Sequence, residues 1–162
     1  MDIHDFLENT IKPGLKYAVM GVGSELRSDD CAGMHFISYI SRKLKRDDVL
    51  FIAGSTAPEN FTGVIKNFAP DILFIIDAAH MGVKPGDVRV IPTSDIGGVS
   101  FSTHMLPLSV ILRYIEAEAG CEAKFIGIQP ASTEQGLSMC DEVKAGTECL
   151  AEEFIVAFER VG

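Results

Sequence analysis

Residues 15–33 read LKYAVMGVGSELRSDDCAG: an apolar run, two glycines in G-x-G, and two adjacent aspartates ahead of an apolar-periodic stretch. The run LKYAVMGV has the length and composition of a buried strand. Gly33, Phe36, Ile37, Ile40 and Leu44 then fall on one face at helical spacing, which predicts an amphipathic helix over about 30–46. A strand followed by a tight loop and a helix is the opening unit of an open α/β sheet. The remaining chain repeats the unit.

Apolar runs at 48–53 (DVLFIA), 71–77 (DILFIID), 86–91 (GDVRVI) and 122–128 (EAKFIGI) read as further strands. The run ILFII is apolar on both faces, as a central strand must be. Helices are expected at 57–68, with Pro58 in the first turn, at 105–118, with Pro107 in the first turn, and at 139–160. The last should turn Val143, Cys149, Leu150, Phe154, Ile155 and Phe158 toward the core. The order β-α-β-α-β-β-α-β-α belongs to a largely parallel sheet covered by helices on both faces. Strand 86–91 follows its predecessor after a loop too short for a crossover helix, so it is expected to run antiparallel at an edge.

The chain of 162 residues, 47% hydrophobic, fits a single domain over 1–162. A net charge of −9 opposes binding to phosphate backbones, so nucleic acid is not an expected partner. The start MDIHDFLENTIK lacks the basic region and apolar stretch of a secretion signal, and no apolar run nears the roughly 18 residues of a membrane span. These features predict a soluble, cytoplasmic protein. Cys31, Cys121, Cys140 and Cys149 form no C-x-x-C pair and read as reduced, mostly packed thiols.

Open α/β sheets bind ligands at the carboxyl ends of their strands, where three positions are chemically unusual. Asp29–Asp30 follow the first strand, Asp77 closes DILFIID, and His104 lies in GGVSFSTHMLP after the fourth strand. One aspartate of the pair can cap the helix and leave its neighbour for the crevice. Thr103 as N-cap would set His104 at a helix start, where the dipole favours neutral imidazole. Two carboxylates and an imidazole are a hard-to-borderline donor set that leaves coordination positions open. His80, in D-x-x-H after Asp77, is the rival nitrogen donor, whereas His4 and His35 read as bystanders. The G-x-G could instead begin a dinucleotide loop, but Leu26 stands at the third glycine and no acid closes the second strand.

These segments together resemble the nickel-iron hydrogenase maturation peptidases, in the branch that processes the large subunit of hydrogenase-3-like enzymes. The resemblance runs from about 15 to 160 and rests on 21–33, GSTAPEN at 54–60, IIDAAHMG at 75–82 with KPG at 84–86, THMLPL at 103–108 and FIGIQP at 125–130. It implies a three-layer αβα sandwich around a twisted, mostly parallel five-stranded sheet, of phosphorylase/hydrolase type. It assigns the metal-interacting roles to Asp30, Asp77 and His104, so that Asp29 is left as the cap, and points to Gly54, Ser55, Thr56 and Gln129 as substrate contacts. The implied reaction removes a C-terminal extension from the large-subunit precursor once nickel is inserted, the nickel being carried by the substrate and serving as recognition signal. No serine or cysteine stands in a nucleophile motif, and a monomer is expected.

The chain departs from the family pattern at Ser24, where Asn is usual, at Cys31, where Gly is frequent, and at Ala53-Gly54-Ser55, where many members read Asp-Gly-Gly. Ser55 would narrow the loop that accepts the substrate tail. Two other classes use the same residues: a non-catalytic nickel metallochaperone or sensor built on the three donors, and a nucleotide-binding module built on G-V-G.

Overall fold

The computed structural model describes residues 1–98, 107–136 and 138–162. Five strands form one sheet: β1 (Tyr17–Val22), β2 (Val49–Ser55), β3 (Ile72–Ala78), β4 (Val88–Ile91) and β5 (Glu122–Ile128). Their order is β2-β1-β3-β5-β4, parallel except for β4, which pairs antiparallel with β5 at the edge. The short loop before β4 dictates this, because a parallel return needs a long crossover. β3, buried at every position, occupies the centre.

Helices α1 (Ile3–Thr10), α2 (Ala32–Lys43) and α5 (Asp141–Val161) cover one face of the sheet, and α3 (Thr62–Phe68) and α4 (Leu108–Ala119) the other. Strand alternation divides the core accordingly. Tyr17, Val19, Phe74 and Ile76 pack with α1, α2 and α5, where Phe154 meets the rings of Phe36 and Phe74 edge-on at 5.3 and 5.1 Å. Ala18, Met20, Leu73 and Ile75 face Ile65 of α3 and Ile111 and Ile115 of α4. The three-layer αβα sandwich is as expected.

Four details differ from the sequence reading. α1 was not anticipated; it buries Leu7, and Ile11 just beyond it, against α5 and β4. The segment 57–68 is a 3-10 turn over Pro58–Phe61 followed by α3. Pro107 is the N-cap of α4 rather than a first-turn residue. In α5 the buried stripe passes through Thr147 instead of Cys149, which is exposed. A helix advances 100° per residue, so Cys149 is rotated off the stripe that Leu150 continues. Thr147 fits because its hydroxyl donates to the carbonyl of Val143 at 2.7 Å.

Candidate functional site

The chain leaves β1 toward β2 on one side and returns to β3 on the other, so the carboxyl ends of β1 and β3 flank the switch point of the sheet. A crevice is expected there. Glycines set its floor. A Cβ on Gly33 would lie 2.3 Å from the carbonyl oxygen of Val22 and 2.4 Å from that of Ile76, so α2 rests on backbone. Gly23, at φ +140°, turns the chain out of β1, and its N–H donates to the carbonyl of Ser55 at 2.9 Å.

Asp30 and Asp77 both reach this turn and are 0% and 1% exposed. The Asp30 carboxylate accepts the N–H of Ser24 at 3.0 Å, and Oδ1 of Asp77 lies 3.7 Å from where a Gly23 Cβ would start. Two carboxylates from separate elements thus converge on the Gly23–Ser24 backbone. His104 and Thr103 lie outside the described residues. Among the described residues no group of three His, Cys, Asp or Glu side chains is arranged to hold a metal ion.

Asp29 has a different task from the helix cap expected of it. The residue at the N-cap of α2 is Cys31, and no side chain caps that helix. Asp29 instead points away to the loop after β5: Oδ2 accepts from the N–H groups of Ala131 (2.7 Å) and Ser132 (3.0 Å), and Oδ1 from that of Cys140 (2.7 Å). It therefore secures the start of α5 and the 131–132 loop to the segment that carries Asp30.

Gln129 is likewise used internally: its Oε1 accepts the N–H of Met81 at 2.6 Å and its Nε2 donates to the carbonyl of Pro130 at 3.0 Å. With 8% exposure it braces the loops after β3 and β5 rather than presenting an amide to a ligand. Gly54 is closely backed by Met20 and the carbonyl of Gly21, while Ser55 and Thr56 are exposed at the carboxyl end of β2. Ser55 stands at φ +53°, a left-handed conformation that favours glycine, so the serine holds a strained turn beside Gly23. His80 is exposed just past β3. His4 and His35 pair with glutamates on the helical face, His4 with Glu8 and Glu153 and His35 with Glu148.

Thiol chemistry is disfavoured at the crevice. Burial, reinforced by the Asp29 carboxylate, pushes the Cys31 and Cys140 thiols up from their ordinary value, which keeps them protonated and weakly nucleophilic at neutral pH. Cys31→Ser is therefore expected to leave the activity of the chain unchanged, and mass mapping after brief alkylation should find exposed Cys149 labelled ahead of Cys31 and Cys140. Loss of activity in Cys31→Ser would make the thiol a participant.

Fold and crevice define an α/β protein with two buried carboxylates at the sheet's switch point, beside which the Cys31 and Cys140 thiols are held protonated. Comparison with known proteins narrows this. The profile of the HycI hydrogenase maturation protease family matches residues 34–157. A putative hydrogenase maturation protease of Methanocaldococcus jannaschii is 30% identical over 97% of this chain and 96% of its own length. The hydrogenase 3 maturation protease of Escherichia coli K12 is 36% identical over 67% of this chain and 69% of its own. Among solved structures, the [NiFe] hydrogenase maturation protease HycI of Thermococcus kodakarensis superimposes with a TM-score of 0.87 at 29% identity, covering 95% of this chain and 99% of that one. The chain belongs to the hydrogenase maturation protease family, whose members are peptidases acting on hydrogenase precursors. No helix among its described residues is long and apolar enough to cross a membrane.

Proposed function

We propose that this chain is the endopeptidase that removes the C-terminal extension of a nickel-iron hydrogenase large-subunit precursor after nickel insertion, acting in the cytoplasm as a monomer. Asp30, Asp77 and His104 meet the nickel borne by the substrate, which serves as the recognition element. The observation that carries this reading is the convergence of two buried carboxylates on the Gly23–Ser24 turn. A carboxylate taken out of water loses hydration, and a divalent cation brought to the crevice by the substrate would offset that cost.

The chemistry requires little more. Binding the precursor's metal brings the scissile peptide to the crevice, and a carbonyl beside that metal is polarised toward attack by water. Water adds to the carbonyl carbon, the C–N bond breaks, and the departing nitrogen takes a proton.

Incubation with nickel-loaded precursor is expected to release the extension, seen as a mass loss, while nickel-free precursor stays intact. Equal cleavage of both would remove nickel from the recognition step, and tight nickel binding without cleavage would favour a metallochaperone. Asp30→Ala, Asp77→Ala and His104→Ala should each lower processing by about 10²–10³-fold or more, the scale of losing one electrostatic catalytic group. Full activity in any one would excuse that residue from the site.

A further inference from the structure

Leu26 is 71% exposed, more than any other large apolar residue described except the terminal Met1. Single exposed apolar residues are ordinary, and Val64, Val110, Tyr114 and Val156 are of that kind, lying on helix faces. Leu26 differs in its support and its place. It lies between Gly23 and Asp30, in the loop that enters the crevice from β1.

That loop is held from both sides. The Leu26 N–H donates to the Ser24 hydroxyl at 3.2 Å, and its carbonyl accepts the N–H of Gly136 at 3.0 Å. Arg27 donates through Nε to the carbonyl of Thr133 at 3.2 Å, and the Ser28 hydroxyl donates to that of Ser132 at 2.6 Å. Ser28 is kept at φ +46°, a conformation that persists only where its surroundings enforce it. The Asp30 carboxylate itself accepts the N–H of Ser24 and closes the base of the loop. So much hydrogen bonding fixes the backbone that presents this apolar side chain to water, where the side chain gains nothing from the fold.

We propose that Leu26 is a preordered contact for an apolar side chain of the hydrogenase precursor, seated beside the carboxylate crevice, and that it determines substrate affinity rather than the chemical step. A loop whose backbone is ordered before binding spares the entropy of ordering the main chain, so covering the exposed leucine contributes more of its burial to affinity. The inference rests on the crevice being the site of cleavage.

The test uses the full chain and nickel-loaded precursor, with KM and kcat measured for Leu26→Ser, Leu26→Gln and Leu26→Met. Serine and glutamine are expected to raise KM about tenfold, equivalent to ~1.4 kcal/mol, with kcat within about twofold and the unfolding midpoint unchanged. Methionine should restore KM. Val156→Ser, about 24 Å along α5 from Cys140 by helical rise, should change neither constant. An unaltered KM in the serine and glutamine variants, or a fall in kcat at constant KM, overturns the proposal. Asp30→Ala in the same assay keeps the two readings apart, because retained cleavage there refutes the site while the KM of the Leu26 variants still reports the contact.

Discussion

Gly33→Ala is expected to destabilise the protein by about 3 kcal/mol or more, at or beyond the upper end of ordinary overpacking. Taken by itself the substitution favours the helix, though by less than the roughly 1 kcal/mol of an interior position, since Gly33 is the second residue of α2. The site reverses the sign. The added methyl would stand 2.3 Å from the oxygen of Val22, 2.4 Å from that of Ile76 and 2.7 Å from the nitrogen of Val22. All three are backbone atoms of central strands, with no side chain that could rotate away. Relief requires α2 to lift from β1 and β3, which opens the packing of Phe36, Ile37 and Ile40 beneath it. Gly63 in α3 supplies the control, because a Cβ there meets nothing within 4 Å. Urea denaturation should show a lower midpoint for Gly33→Ala and an unchanged or higher one for Gly63→Ala. Equal midpoints for Gly33→Ala and the parent would mean that the close approach of α2 to the sheet is not a constraint.

This contact explains what the opening glycines are for, and why a dinucleotide reading had to fail. In G-x-G-x-x-G the third glycine lets the helix approach the strand directly after a short turn. Here a loop and a 3-10 turn over Ser28–Cys31 intervene before α2 begins at Ala32, and Gly33 provides the close approach instead. Leu26, at the place of the missing glycine, points into solvent.

Strands and long helices were legible because their burial repeats with a fixed period: the face Gly33, Phe36, Ile37, Ile40 and Leu44 is buried throughout. The antiparallel direction of β4 followed from loop length; that β5 lies between it and β3 did not. α1 was harder, since two turns of helix are marginal by themselves and exist here because α5 and β4 receive Leu7 and Ile11. Cys149 lies one residue's rotation off the buried stripe, a difference that apolar composition does not reveal. Asp77 was legible as a crevice residue because a carboxylate ending an otherwise apolar strand has few other uses. The division between Asp29 and Asp30 was not, because the partners of Asp29 lie about a hundred residues further along the chain.

Asp29→Asn makes that division measurable. One carboxylate takes three backbone N–H groups, from Ala131 and Ser132 on Oδ2 and from Cys140 on Oδ1, and the Cys140 thiol donates to Oδ2 at 3.4 Å. Asparagine keeps the shape but has one accepting oxygen. Whichever way the amide is turned, its NH₂ group faces an N–H donor, so at least one charge-assisted bond is lost and a buried donor is left opposite another. Bonds to a charged acceptor contribute about 1.5–3 kcal/mol each, and an unsatisfied buried group costs about 1–3 more. The expected loss is therefore about 3 kcal/mol, with amide exchange at Ala131, Ser132 and Cys140 accelerated by about 10²-fold. Asp30→Asn has a different expected consequence: asparagine can still accept from Ser24, and loss of processing should exceed any loss of stability when both are measured. If Asp29→Asn unfolds within about 0.5 kcal/mol of the parent, Asp29 is not what joins the crevice loop to α5. If it is, two adjacent and chemically identical side chains have different work in the fold: Asp29 joins the crevice loop to α5, and Asp30 closes the turn beside Asp77.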